Sequence, residues 1–245
     1  VLAAGGSQKS SGFKAGIDKF LKGLKPDPVV KEAADPLNLD TPAKPSAELY
    51  AAMARLADQQ GNLLQAETQY RKALDLEPKH LTALVGYARL KSRQGRQEEA
   101  IALYQRAAKT APGDASIHND LGLCFARRRM WKESIDALER AIRLDPKNSR
   151  YRNNISTVLV DLGEMDRARA HLAAVHGEAV VDYNLGYMMQ KKGDRRAAMA
   201  YFNQALRKDP SLQPAKQWLQ HLASQPDPAT RRDRFAGHRP QGAVG

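Results

Sequence analysis

Three prolines, Pro78, Pro112 and Pro146, stand 34 residues apart, and each closes a similar segment. The segment is clearest over residues 114–146. Its first part carries Leu121, Gly122 and Phe125, and its second Ile135, Leu138, Ala141 and Ile142. A proline two residues past Leu144 stops it. Apolar residues at three- and four-residue spacing make each part an amphipathic helix, so the unit is two short helices joined by a turn. Such a pair cannot bury its own apolar faces and needs copies of itself on both sides. The constant period thus limits the chain to a stack of helix pairs. An aromatic content of only 6% and abundant Ala, Leu, Arg and Gln favour helix over sheet as well.

Five consecutive copies can be aligned. The first uses Tyr50, Met53, Ala54, Ala57, Ala66, Tyr70, Ala73 and Pro78, and the second Leu84, Tyr87, Ala88, Ala100, Tyr104, Ala107 and Pro112. The third uses Leu121, Gly122, Phe125, Ser134, Leu138, Ala141 and Pro146. Ile155, Ser156, Leu159, Ala168, Leu172 and Val175 mark the fourth, and Leu185, Gly186, Met189, Ala198, Phe202, Ala205 and Pro210 the fifth. Small residues let two helices approach, and large residues one turn away fill the remaining space. This pattern resembles the tetratricopeptide repeat over about residues 46–223, in its bacterial multi-repeat form and more loosely in the repeat lipoproteins of pilus assembly. The resemblance implies an all-α, right-handed superhelical solenoid of about five helix hairpins plus a C-terminal capping helix. The expected divisions are 46–78, 79–112, 113–146, 147–177 and 178–210, with the cap at 211–223 around Trp218, Leu219 and Leu222.

Departures from the pattern carry their own expectations. Gly61, Gly95, Gly163 and Gly193 sit at the turn inside a hairpin, where a left-handed backbone favours glycine. The third copy has Arg129 there, so its turn is expected to be the least ideal. Lys91 replaces an aromatic and is expected to loosen its contact. Pro146 and Pro210 are 64 residues apart, four short of two periods. The shortfall falls at residues 175–178, where Gly177 is expected to end one helix and a tighter joint to follow.

The flanks differ in composition. Residues 1–12 read as a flexible Gly/Ser segment. Residues 13–25 form a basic amphipathic segment, with Phe13, Ile17, Phe20, Leu21 and Leu24 on one stripe and Lys14, Lys19 and Lys22 off it. It suits an anionic membrane surface, docking to a partner, or cover for the array. Residues 26–45 read as a proline-rich linker, with Ser46 the N-cap of the first array helix. Residues 224–245 read as a disordered basic tail. Small residues at Val1 to Gly6 suit the end of an export signal, although Gly5 stands where a lipoprotein signal needs cysteine. That leaves the bacterial cell envelope and the cytoplasm both open as locations. No run reaches the length of a membrane span.

Lys plus Arg outnumber Asp plus Glu by 39 to 27, a formal charge of +12. This favours an acidic peptide, an anionic membrane or nucleic acid as partner, or simply keeps the protein dissolved. The basic clusters Arg127-Arg128-Arg129, Arg195-Arg196 and Arg231-Arg232 lack a recognition helix or a stacking aromatic platform, so no specific nucleic acid is expected. The six histidines form no HExxH and no ligand pair with the single cysteine, Cys124, which reads as a buried thiol. No phosphate loop or nucleophile elbow is present. The sequence therefore predicts no enzyme, no cofactor and no metal.

The family resemblance also implies a concave groove formed mainly by the first helix of each pair, which binds peptides or partner proteins. Its positions here hold Arg55, then Arg89 and Arg93, then Asn119, Asp120, Leu123 and Arg127. Arg150, Asn153, Asn154 and Thr157 follow, then Tyr183, Asn184, Tyr187 and Lys191. Asn119, Asn153 or Asn154, and Asn184 resemble an asparagine ladder, since an amide offers a donor and an acceptor to a peptide backbone. The lysine–asparagine clamp for terminal carboxylates is not reproduced, because Ala51 and Arg55 stand at its first positions. The expected function is a non-catalytic scaffold or adaptor holding an extended, acidic peptide or partner protein. The alternative is association with nucleic acid or an anionic membrane, the latter through residues 13–24.

Overall fold

The computed structural model describes residues 45–225. The flexible start, the amphipathic segment, all of the linker before Pro45 and all but two residues of the basic tail lie outside the described residues. Among the described residues eleven helices follow one another: α1 Ala47–Gln59, α2 Leu63–Leu76, α3 Leu81–Arg93, α4 Gln97–Thr110, α5 Ala115–Arg127, α6 Trp131–Leu144, α7 Ser149–Leu162, α8 Met165–Ala173, α9 Glu178–Lys192, α10 Arg195–Lys208 and α11 Gln213–Ser224. The first ten pair in sequence as five hairpins and α11 closes the stack. The array is an all-α superhelical solenoid, with no strand among the described residues.

Local chemistry fixes the ends of these helices. Ser46 Oγ accepts from Leu49 N at 3.1 Å, and Asp114 Oδ1 accepts from Ser116 N at 2.8 Å, each cap worth about 1 kcal/mol. The four turn glycines all have positive φ, between +77° and +85°. Arg129 occupies the same place in the third hairpin at φ +56°, the one non-glycine residue with positive φ among the described residues. A β-carbon disfavours that conformation, so the irregularity expected from sequence is a backbone strain.

Close approach inside each hairpin is equally local. A β-carbon on Gly122 would lie 2.7 Å from Leu138 Cγ, and one on Gly186 2.8 Å from the Phe202 ring. Ala66, Ala100, Ser134, Ala168 and Ala198 are fully buried at the corresponding contacts. The buried apolar residues form two clusters whose memberships meet on α6, one running from Ala51 to Ala137 and the other from Leu138 to Leu222.

Two expectations need correction. The joint after the fourth hairpin is not tighter: residues 174–177 match the length of the links at 77–80, 111–114, 145–148 and 209–212. The missing residues come out of α8, which has 9 residues where the other second helices have 14. Gly177 does not end α8. It is the N-cap of α9, in an extended backbone (φ −69°, ψ 159°), while Val175 N and His176 N close on Leu172 O at 3.1 and 3.0 Å.

Lys91 does not loosen its contact either. It is fully buried, with Nζ 2.7 Å from Glu67 Oε1, 3.3 Å from Glu99 Oε2 and 4.9 Å over the Tyr87 ring. Its aliphatic stem fills the volume of an aromatic while two carboxylates neutralise its charge. Arg71 and Arg96 also meet Glu67, and Tyr87 donates its hydroxyl to Glu67 Oε1 at 3.2 Å. Burial raises the Glu67 carboxyl, but Lys91, Tyr87 and Arg71 together outweigh it and hold the group below its ordinary range.

Candidate functional site

The candidate groove is built from the facing sides of α1, α3, α5, α7 and α9. In its first half the polar side chains bond to one another. Arg93 of α3 pairs with Asp58 of α1. Arg89 donates from Nε and Nη2 to Asp120 Oδ2 on α5 at 3.2 and 3.1 Å, and Tyr104 donates to the same oxygen at 3.3 Å. Arg127 of α5 donates to Ser92 Oγ on α3. Arg89, Ser92, Arg93, Tyr104, Asp120 and Arg127, with Leu123 and Cys124, line a cavity of about 200 Å³. Burial pushes the Tyr104 phenol up and Asp120 adds to the effect; burial also raises the Cys124 thiol, leaving it protonated. Arg55, on α1, is exposed and has no ion-pair partner among the described residues.

Asn119 is not on the open groove. It is 2% exposed, its Nδ2 donates to Asp120 Oδ1 at 3.1 Å, and its Oδ1 accepts from Asn154 Nδ2 at 2.7 Å. Both ends of its amide are committed inside the wall, so the asparagine row expected on three helices is open on two.

The second half is different. Asn153, Asn154 and Thr157 of α7 and Tyr183, Asn184, Tyr187, Met188 and Lys191 of α9 surround a cavity of about 330 Å³. Tyr183 also borders a second cavity of about 380 Å³ with Pro214, Gln217, Trp218 and His221 of α11. Tyr187 meets Trp218 edge-on at 5.8 Å, Trp218 stacks on Phe202 at 6.0 Å, and Lys191 Nζ lies 5.6 Å from the Tyr187 ring centre. Asp182, fully buried, anchors α9 from behind through Arg169 of α8 at 2.6 Å and Lys208 of α10 at 2.9 Å. Among the described residues no side-chain pair bridges α7 and α9. Their direct polar tie is Lys192 Nζ, which donates to Val160 O at 2.9 Å and to Asp161 O at 3.4 Å. Asn184 has no hydrogen-bond partner among the described residues, and Lys191 has no carboxylate.

Sequence reasoning missed several groove residues. Ser92 and Tyr104 of the first half, His176 against Asn153, and Gln217, Trp218 and His221 on the cap helix were not singled out for this surface. A signal existed. Asp58 and Arg93, Ser92 and Arg127, and Asn119 and Asn154 are each 35 residues apart, and the same offset carries Tyr183 to Trp218. The cap helix thus continues the groove face of the first helices. Among the described residues no helix is long and apolar enough to cross a membrane, and no group of His, Cys, Asp and Glu is arranged to hold a metal ion.

Models of the tetratricopeptide repeat match residues 51–115, 88–149, 119–179 and 183–212, well over half of the chain. The chain belongs to the tetratricopeptide repeat family. No curated protein matches its sequence. Among solved structures it is similar to YrrB, described as a tetratricopeptide protein with an unusual peptide-binding site, at 24% identity and TM-score 0.55 over 71% of this chain and 92% of that one. MamA is similar at 22% identity and TM-score 0.56 over 67% and 92%. PilF of Pseudomonas aeruginosa is similar at 22% and TM-score 0.53 over 72% and 82%. At these identities the likeness is one of fold. Tetratricopeptide arrays are protein–protein interaction scaffolds that bind protein or peptide partners, and they are typically not catalytic.

Proposed function

We propose that this protein is a non-catalytic adaptor that holds an extended peptide in the second half of its groove. The observation that carries the reading is the unbridged α7/α9 pair, whose facing side chains surround the 330 Å³ cavity without bonding to one another across it. Asn153, Asn154 and Asn184 hold the peptide backbone. Tyr183 and Tyr187, with Trp218, pack an apolar side chain, because aromatic rings give a large contact area with few rotamers to freeze. Acidic residues of the peptide pair with Lys191 and, toward the third hairpin, with Arg127. Arg89 and Arg93 contribute less charge than their number suggests, since Asp120 and Asp58 already neutralise them. A peptide-binding site is also described for YrrB, which shares the fold.

Capture of partners from cell extract by the wild-type chain and by Asn184→Ala/Tyr187→Ala tests this reading. The double variant is expected to lose specific peptide-bearing partners while melting like the wild type. Recovery of the same proteins in the same amounts by both would refute it. The second reading, association with nucleic acid or an anionic membrane, has one observation in favour. A cavity of about 550 Å³ beside the first interhairpin link is lined by Lys79, Arg106 and Lys109 with no carboxylate. Loss of the captured material on nuclease treatment, or its recovery on anionic vesicles, would move the assignment there.

A further inference from the structure

The polarity of an asparagine amide matters in a groove, because one end donates and the other accepts. Two chains of hydrogen bonds set that polarity here. The first starts at Asp120, whose carboxylate can only accept. Arg89 holds Asp120 Oδ2 at 3.1 Å, and Asp120 Oδ1 takes the Asn119 amide hydrogen at 3.1 Å. Asn119 is therefore turned with its oxygen toward α7, where it accepts from Asn154 Nδ2 at 2.7 Å. Asn154 is left with its Oδ1 free. The second chain is one bond long. His176, in the link that follows the shortened α8, places Nε2 2.9 Å from Asn153 Oδ1. With the proton on Nε2 the imidazole donates, and Asn153 is left with its Nδ2 free. Both asparagines line the same cavity.

We propose that these two relays make the cavity a one-residue reader of an extended main chain, with Asn153 Nδ2 donating to a peptide carbonyl and Asn154 Oδ1 accepting from a peptide N–H. The N–H and C=O of a single residue in an extended chain point to the same side, as in the hydrogen-bonded pairs of an antiparallel sheet. One donor and one acceptor on neighbouring residues of α7 match that pair. Their order also sets the direction in which the chain lies, because a reversed peptide presents its donor and acceptor in the opposite sequence. His176, Asn119 and Asp120 are positioning residues, acting through Asn153 and Asn154. The inference rests on the groove reading above and adds the backbone register and direction to it.

The test begins with a random 12-residue peptide library panned on the immobilised full chain. The recovered peptide is synthesised as the parent, as the reversed sequence, and as single amide-to-ester replacements that each remove one N–H. The relay predicts that one ester position weakens binding about tenfold, the scale of one hydrogen bond, and that the same ester has no further effect on Asn154→Ala. His176→Leu should weaken the parent about five- to tenfold at unchanged melting temperature. His176→Gln, which keeps an N–H donor, should restore binding to within about twofold. The reversed sequence should not bind measurably at the parent's concentration. If the reversed peptide binds as well, if no ester couples to Asn154, or if His176→Leu binds like the wild type, the relay is wrong while the groove reading stands. If no recovered peptide is weakened by Tyr187→Ala, the groove reading falls and the relay falls with it.

Discussion

The first three hairpins and the last two present the same helix faces at nearly the same period, yet the two halves of the groove differ in what their side chains do. In the first half Asp58 meets Arg93, Asp120 meets Arg89 and Ser92 meets Arg127, each bond joining one first helix to the next. In the second half α7 and α9 lie across from each other without such a side-chain bridge. Asn184 and Lys191 have neither a hydrogen-bond partner nor a carboxylate among the described residues. The contrast shows that a count of basic groove residues overstates the charge a ligand meets. A repeat array can use one surface position for internal bracing in one copy and leave it for a partner in another.

The largest expected effect that would sharpen the comparison is at Lys91. Lys91→Met removes the cation that neutralises Glu67 and should cost about 3 kcal/mol, toward the low end for a broken buried pair because Arg71 and Arg96 remain. Denaturant unfolding would read the loss, and hydrogen exchange should place it in α2 to α4. A loss below about 0.5 kcal/mol would mean that the buried cluster does not brace the first half. Next come the turns. Gly193→Ala should cost about 1 kcal/mol, since alanine is strained at φ +85°, whereas Arg129→Gly should gain about 0.5 kcal/mol by relieving the same strain in the third hairpin. Thermal melting of the two variants distinguishes these signs.

Much of this was open to sequence reasoning and some was not. The period, the close contacts of Gly122 and Gly186 and the turn at Arg129 follow from sterics that the copies share, and the Ser46 cap from a hydrogen bond three residues long, so all are written in local sequence. The shortening of α8 was visible as a deficit of four residues, but the sequence does not say whether a helix or a link absorbs it. Lys91 read as a defect because its compensating partners, Glu67 and Glu99, come from neighbouring helices. The groove arginines read as partners for a peptide's acids, because which of them pair with one another depends on how one first helix is rotated against the next. Only the recurring offset of 35 residues reports that rotation, and the same offset would have added Trp218 to the groove.

Groove substitutions should separate the halves by what they change. Arg93→Ala should cost up to about 1 kcal/mol of stability, the range for a partly exposed ion pair, and leave peptide affinity within about twofold. Asn184→Ala should do the opposite, lowering affinity while leaving stability within about 0.5 kcal/mol. Equal effects of the two on affinity would erase the distinction.

The smallest expected effect is in pH. Burial, with Arg152 and Arg167, holds His171 of α8 below the ordinary histidine range despite Glu139. A lowered value in the folded state means that stability is full above the unfolded histidine value of about 6.5 and is lost as pH falls through the folded value. Glu67, also lowered, contributes stability that is present above about pH 4.3 and lost only below it. Hydrogen exchange followed downward from pH 7 should therefore show α8 loosening before α2. The reverse order would contradict these assignments.

The most direct test of the account is a hydrogen-exchange footprint of the full chain with and without a peptide recovered by panning. The account predicts new protection in α7, α9 and α11, around Asn153, Asn184 and Trp218, and little change in α1 and α3. Protection centred on α1 and α3, at Arg55, Arg89 and Arg93, would show that a partner displaces the internal ion pairs and that the braced half is the binding half.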